Sequence, residues 1–247
     1  MCCDVRTAVE PEACTYLEWD SEFFSRRIAR ANRRRLDPAA LGALLDWCAA
    51  NRIECLFFLA DSDDAQTARL AEANQFLLAA VRMTFERKVG EPFVSPADAV
   101  VRSAREEDLG ALRAIAKTGH RDTRFYFDQH FDRTKCDLLY EAWIENSFRG
   151  FAQDVLVAEI DQKPVGYITI HLRGDEAHIG LVGVAEGHQG VGLGSILVRH
   201  FLSWAARKGA ERATVVTQGR NTRAQRLYQR NGFVTASFQL WYHRWFP

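Results

Sequence analysis

With 247 residues and 32 basic against 32 acidic side chains, the chain can hold one large domain or two small ones and carries no net charge. Its cations are scattered, which speaks against a nucleic-acid footprint or a polybasic membrane anchor. No apolar run reaches membrane-spanning length, and Met1-Cys2-Cys3-Asp4 opens no basic-then-apolar leader, so a cytoplasmic protein is expected. The six cysteines, Cys2, Cys3, Cys14, Cys48, Cys55 and Cys136, show no C-x-x-C and no Cys/His ligand spacing. They read as reduced thiols, and no metal site is expected.

Residues 1–90 are expected to form a small α/β domain. Cys14 to Glu18 and Ile28 to Asn32 read as short strands around an aromatic turn, Trp19 to Phe24. Asp37-Pro38 opens a helix, with Asp as cap and Pro in the first turn, that runs to about Asn51. Cys55 to Leu59 is a short apolar strand, Thr67 to Asn74 a helix, and Ala79 to Arg87 an alternating strand. Val89 to Pro96, with Gly90, Pro92 and Pro96, reads as a linker.

A second domain is expected over residues 97–247. Val100 to Arg102 is a strand, and Arg105-Glu106-Glu107-Asp108 opens a helix with Leu109, Leu112, Ile115 and Ala116 on its apolar face. A polar and aromatic stretch, Gly119 to Asp132, precedes a helix from about Thr134 to Ser147, with Leu138, Leu139, Ala142, Trp143 and Ile144 apolar. Asp154 to Ile160 and Pro164 to Leu172 pair as a hairpin through Asp161-Gln162-Lys163. The strand His178 to Val184 then runs into Glu186-Gly187-His188-Gln189-Gly190-Val191-Gly192-Leu193-Gly194-Ser195 and a helix to Lys208. Arg212 to Thr217 is a strand, Asn221 to Asn231 a helix, and Phe233 to Arg244 a long last strand.

Glycines ahead of a helix let backbone N–H groups approach a phosphate, and the helix's open first turn completes an anion site. A Walker loop needs a lysine that this turn lacks, and a dinucleotide fingerprint needs glycine where Ser195 stands. The third pattern, Gln/Arg-x-x-Gly-x-Gly/Ala, is met by Gln189-Gly190-Val191-Gly192-Leu193-Gly194. One strand later comes Asn221-x-x-Ala224-x-x-Leu227-Tyr228-x-x-x-Gly232-Phe233, in which Asn221 suits an N-cap and Gly232 a left-handed stop.

Paired at this distance, the two motifs resemble the GNAT superfamily of acyl-CoA-dependent N-acyltransferases. Leu17 to Phe24, Trp143 to Gly150 and Leu240 to Arg244 extend the likeness to the TDP-fucosamine acetyltransferases within it. These GNAT enzymes acetylate the 4-amino group of a TDP-linked sugar and carry a small N-terminal α/β domain.

The resemblance implies a mixed, splayed sheet flanked by helices, with acetyl-CoA as co-substrate. It implies a pyrophosphate cradle in the amides of Gln189, Gly190, Val191, Gly192, Leu193, Gly194 and Ser195, with Asn221 beside it. The backbone of Leu181, Val182, Gly183 and Val184 would face the pantetheine and thioester. Tyr228 matches the family's general acid toward the leaving thiolate. With a thiol near 8.5 and a tyrosine near 10, full proton transfer is uphill by roughly 2 kcal/mol, so hydrogen bonding to the thiolate is the safer description.

The acceptor, a nucleotide amino sugar or another small amine, is expected to meet Asp122, Arg124, Phe125 and Asp128. Arg124 would pair with a pyrophosphate, and the aromatics would stack on a base or sugar. Asp122, Asp128, His130, His171 and His178 stay open as candidate bases. Self-association through the last strand or the N-terminal domain also stays open.

Overall fold

The computed structural model describes residues 13–91 and 100–247, so Cys2, Cys3 and most of the expected linker lie outside the described residues. The chain runs β1 (Cys14–Tyr16), α1 (Glu18–Phe24), β2 (Ile28–Ala31), α2 (Pro38–Ala50), β3 (Cys55–Asp61), α3 (Ala65–Ala73) and β4 (Leu77–Lys88). It continues with β5 (Val100–Ser103), α4 (Leu109–Gly119), α5 (Arg124–Phe127), α6 (Arg133–Asn146), β6 (Asp154–Ile160) and β7 (Lys163–Arg173). Last come β8 (Glu176–Val184), α7 (Leu193–Arg207), β9 (Arg212–Gln218), α8 (Thr222–Arg230) and β10 (Val234–Trp245).

Two compact units divide the chain, Met1–Ala79 with Gln239–Pro247 and Ala80–Phe238, so the boundary runs through β4 and β10. This differs from the break expected at residues 90–97. The cause is hydrogen bonding: Gln239 to Trp245 pairs antiparallel with Asp61 to Cys55, which draws the C-terminal end of β10 into the first unit.

In that unit β1 and β2 are antiparallel, and β2 and β3 parallel. Asp37 caps α2 by accepting from the Ala40 amide, with Pro38 at the start of the helix where its missing N–H costs nothing. Leu41, Leu44 and Cys48 of α2 pack with Leu56, Phe58 and Tyr242. The expected aromatic turn is instead helix α1. Trp19 and Phe23, one helical turn apart, stack at 5.0 Å, and Ser25 ends the helix in the left-handed region at φ 54°. No glycine or proline interrupts Trp19 to Phe24, so nothing there breaks a helix.

The second unit holds the sheet order β4-β9-β8-β7-β6-β5, in which only β8 and β9 run parallel. The β6–β7 hairpin turns on Asp161 and Gln162, both at positive φ (48° and 62°), as a two-residue turn matched to strand twist requires. Leu193, Leu197 and Phe201 of α7 bury against Ile168, Ile170, Ile179 and Val215. On the opposite face Ile115 of α4 and Tyr167 close over Gly183. Helix α6 buries Cys136, Leu139, Tyr140 and Ile144, an i, i+3, i+4 stripe, so Leu138, expected on the apolar face, is exposed.

Candidate active site

The parallel pairing of β8 with β9 runs from Glu176–Arg212 to Ile179–Val215 and goes no further, although β8 continues to Val184 and β9 to Gln218. Beyond that point Val182, Gly183 and Val184 keep their pairing with β7, Gly180 and Leu181 form a bulge, and none of the five pairs with β9. Backbone polar groups on such an edge need water or a ligand. The β7–β8 register shifts between Ile168 and Ile170, where Thr169 Oγ1 accepts the Leu181 amide at 2.8 Å.

The glycine turn follows at the end of β8. A short 3-10 turn at Glu186–His188 leads into Gly190 at φ 85° and Gly192 at φ 94°, conformations that side chains disfavour. A Cβ at either glycine would meet nothing within 4 Å, so the space above their backbone is open. Gln189 braces the turn: its Nε2 donates to the Val184 carbonyl at 2.9 Å, and its Oε1 accepts from Arg223 of α8. Gly192 is the N-cap of α7, and no side chain caps its first turn. Leu193 anchors the helix in the core, and a Cβ on Gly194 would stand 3.3 Å from Leu227, so this glycine lets α7 and α8 approach closely. Val191 is exposed, and Ser195 Oγ accepts from Asn231 at 3.2 Å.

Helix α8 carries the other motif. Asn221 caps it by accepting from the Ala224 amide at 3.0 Å, and Gly232, at φ 78°, follows its end. Tyr228 is 3% exposed, with Phe85 and Phe233 rings each 6.0 Å away. Burial pushes its phenol well above the usual tyrosine range, so it stays a donor at neutral pH. Complete proton transfer to a thiolate is therefore more uphill than a free tyrosine would make it.

Between α4 and β8 lies a group that sequence reasoning missed. His120 Nε2 and Tyr167 Oη are 2.8 Å apart, His120 stacks on Tyr140 at 4.6 Å, and the Tyr167 ring fills the place of a Gly183 side chain. Burial lowers the His120 pKa to about 4. A tyrosine in an apolar strand and a histidine ending a helix give no joint signal, since their meeting depends on how α4 crosses the sheet.

The acceptor-side residues scatter more. Phe125 is buried against Phe131 and Trp143, and Arg124 lies over its ring at 4.3 Å. The exposed aromatic of this stretch is Phe127, with Arg220 over its ring at 4.0 Å and Asp122 near enough to Arg220 to stabilise its charge. Asp128 is buried and holds His130, accepting from its backbone amide at 3.1 Å with Nδ1 at 2.8 Å. His171 and His178 stand opposite each other on β7 and β8. Burial lowers both pKa values, His178 to about 4. Among the described residues no three His, Cys, Asp or Glu side chains group as a metal site, and Cys14, Cys48, Cys55 and Cys136 are buried and in no disulfide. No helix among them is long and apolar enough to cross a membrane.

Residues 100–233 match the model of the acetyltransferase (GNAT) family. The chain is 28% identical over 244 residues to the dTDP-fucosamine acetyltransferase of Escherichia coli O6:H1, covering 97% of this chain and 99% of that one. It is also 28% identical over 138 residues to the spore coat polysaccharide biosynthesis protein SpsD of Bacillus subtilis, where it spans 56% of this chain but only 48% of the relative. Among solved structures, a GCN5-related N-acetyltransferase from Sphaerobacter thermophilus superposes at TM-score 0.63 over 88% of this chain and 72% of that one, with 16% identity. A conserved protein of unknown function from Staphylococcus epidermidis does so at 0.66 over 99% and 95%, with 14% identity. The family match takes in both the glycine turn and Tyr228. This chain belongs to the acetyltransferase (GNAT) family and is an acyl-CoA-dependent N-acetyltransferase.

Proposed function

We propose that the enzyme moves acetyl from acetyl-CoA to the amino group of a nucleotide-linked amino-deoxy sugar, of the dTDP kind, by direct attack in a cytoplasmic ternary complex. One observation carries the choice of acceptor. Likeness to the dTDP-fucosamine acetyltransferase runs over 97% of this chain, and so includes the first unit, which the family match over residues 100–233 does not reach.

The open backbone at Gly190 and Gly192 and the uncapped first turn of α7 suit a pyrophosphate, held by the amides of Gln189 to Ser195. Along the edge of β8 from Leu181 to Val184 the Leu181 amide is held by Thr169 and the Val184 carbonyl by Gln189, and the backbone groups between them face the pantetheine and the oxygen that gains charge as the amine adds. Tyr228 donates a hydrogen bond to the departing thiolate, with protonation late or shared. Direct attack agrees with the burial of all four described cysteines, which leaves no open thiol among them to carry the acyl group. On the acceptor side, the exposed aromatic is Phe127 and not Phe125, and the cation over it is Arg220, while Arg124 lies over Phe125.

A thiol-release assay with acetyl-CoA tests the proposal across dTDP-4-amino-4,6-dideoxygalactose, other nucleotide amino sugars, a polyamine, an aminoglycoside and free amino acids. The dTDP sugar is expected to give the highest kcat/KM by at least about tenfold, the least that losing one well-made contact would cost. A preference for an amine without a nucleotide would sink the sugar reading and leave the acetyltransferase standing.

A further inference from the structure

On the sheet face opposite α7, side chains from β8 and β9 form a one-way hydrogen-bond chain. The Thr214 hydroxyl donates to Glu176 Oε1 at 2.8 Å, and the Thr214 oxygen lies 2.9 Å from His178 Nδ1. Glu176 is ion-paired with Arg212 through its other oxygen, and an ionised carboxylate can only accept. The single Thr214 proton is therefore committed to Glu176, and its oxygen is left as an acceptor. Nδ1 of His178 must then carry a hydrogen, which in the neutral imidazole makes Nε2 a bare lone pair. Burial beside His171 and Arg173 favours that neutral ring against the pull of Glu176.

The chain stands where the groove begins. His178 pairs with Thr214 one step before Ile179–Val215, the last pair before β8 and β9 part. Ala177 and Ile179 are buried with α7, so strand alternation brings the His178 ring out on the other face. Gly180 follows two residues on, about 7 Å along a strand, beside the bulge that sets the Leu181 amide on Thr169. His171 reaches the same spot: a Cβ on Gly180 would stand 2.6 Å from its Nε2, so only glycine leaves room for it. Neither imidazole is used by the phosphate cradle or by Tyr228.

We propose that His178 Nε2 receives an N–H of the acceptor amine, directly or through one water, and turns the amine's lone pair toward a thioester held along Leu181 to Val184. Thr214 and Glu176 act through it as positioning residues that fix its tautomer. The proposal rests on the acyl-transfer reading of this groove but not on the acceptor being a sugar.

Two measurements on the full chain test it. Long-range 1H–15N correlation at neutral pH should find His178 as the Nδ1–H tautomer in the wild type and in Thr214→Ser, and mixed or reversed in the isosteric Thr214→Val. An Nε2–H tautomer in the wild type overturns the proposal whatever amine is used. Kinetics use dTDP-4-amino-4,6-dideoxygalactose or, if that sugar is not a substrate, the best amine of the panel above, a result that would count against the sugar alone. His178→Ala should lower kcat/KM for the amine about 100-fold while the acetyl-CoA KM stays within about twofold. His178→Gln, which keeps an acceptor atom, should recover part of the loss. Thr214→Val should lose about tenfold and Thr214→Ser nearly nothing. A His178→Ala loss under about threefold, or one shared equally with the acetyl-CoA KM, also overturns the proposal.

Discussion

In the role proposed for it, Tyr228 has to keep its proton until a thiolate leaves, and its burial between Phe85 and Phe233 favours the protonated phenol. Tyr228→Phe keeps the packing and removes the hydroxyl. Turnover is expected to fall at least about tenfold with the acetyl-CoA KM little changed, the pattern of an interaction made mainly in the transition state. Equal turnover in the two proteins would take Tyr228 out of the mechanism. Gly192 fails differently, because its φ of 94° is a backbone demand. Gly192→Ala sets about 1 kcal/mol of strain at the start of α7 and puts a methyl into the open space above the turn. The acetyl-CoA KM should rise about tenfold or more with the melting temperature only slightly lowered. An unchanged KM would count against the phosphate cradle.

Single elements rest on a few polar anchors. Asp108, at the foot of α4, is 2% exposed and takes two bonds from Arg102, at 2.7 and 3.0 Å, and one from the Arg105 amide at 2.7 Å. The Arg102 guanidinium holds its pKa below the usual carboxylate range. Such a group stabilises the fold fully above its unfolded pKa of about 4, and the contribution is lost as pH falls through the depressed folded value. Thermal melts from about pH 6 to pH 2 should show a destabilisation on acidification that is shallower in Asp108→Asn. Above pH 5 that variant should be less stable by about 1–2 kcal/mol, the loss of charge-assisted hydrogen bonds, since Arg102 keeps its pairing with Glu159. Parallel melting curves would contradict this. For α8, removing the cap with Asn221→Ala should cost about 1 kcal/mol in urea unfolding. A loss of acetyl-CoA affinity beyond that would give Asn221 a role outside the cap.

At the scale of the whole chain, the first unit is completed by residues from the far end of the sequence. Because Gln239 to Trp245 pairs along β3, and Tyr242 packs with Phe58 and Leu44, a chain ending at Phe238 should lose that unit's order. Hydrogen exchange is the measurement: the β3 amides should lose protection while those of the β6–β7 hairpin keep theirs. Retained β3 protection would show that the unit stands without its last strand.

The sequence by itself determined the local parts. Helical and strand periods, the Asp37-Pro38 and Asn221 caps and the Gly232 stop are settled by neighbours a few residues apart, and so were legible. The glycine turn and the helix that carries Tyr228 were legible for the same reason, being short local patterns. What needed the tertiary structure was every meeting of distant residues: the last strand joining the first unit, Phe125 inward and Phe127 outward, His120 on Tyr167, and Thr214 between Glu176 and His178. Residues far apart in sequence become neighbours only once sheet order and register are fixed. A pattern of types along one strand carries no record of what the next strand brings beside it.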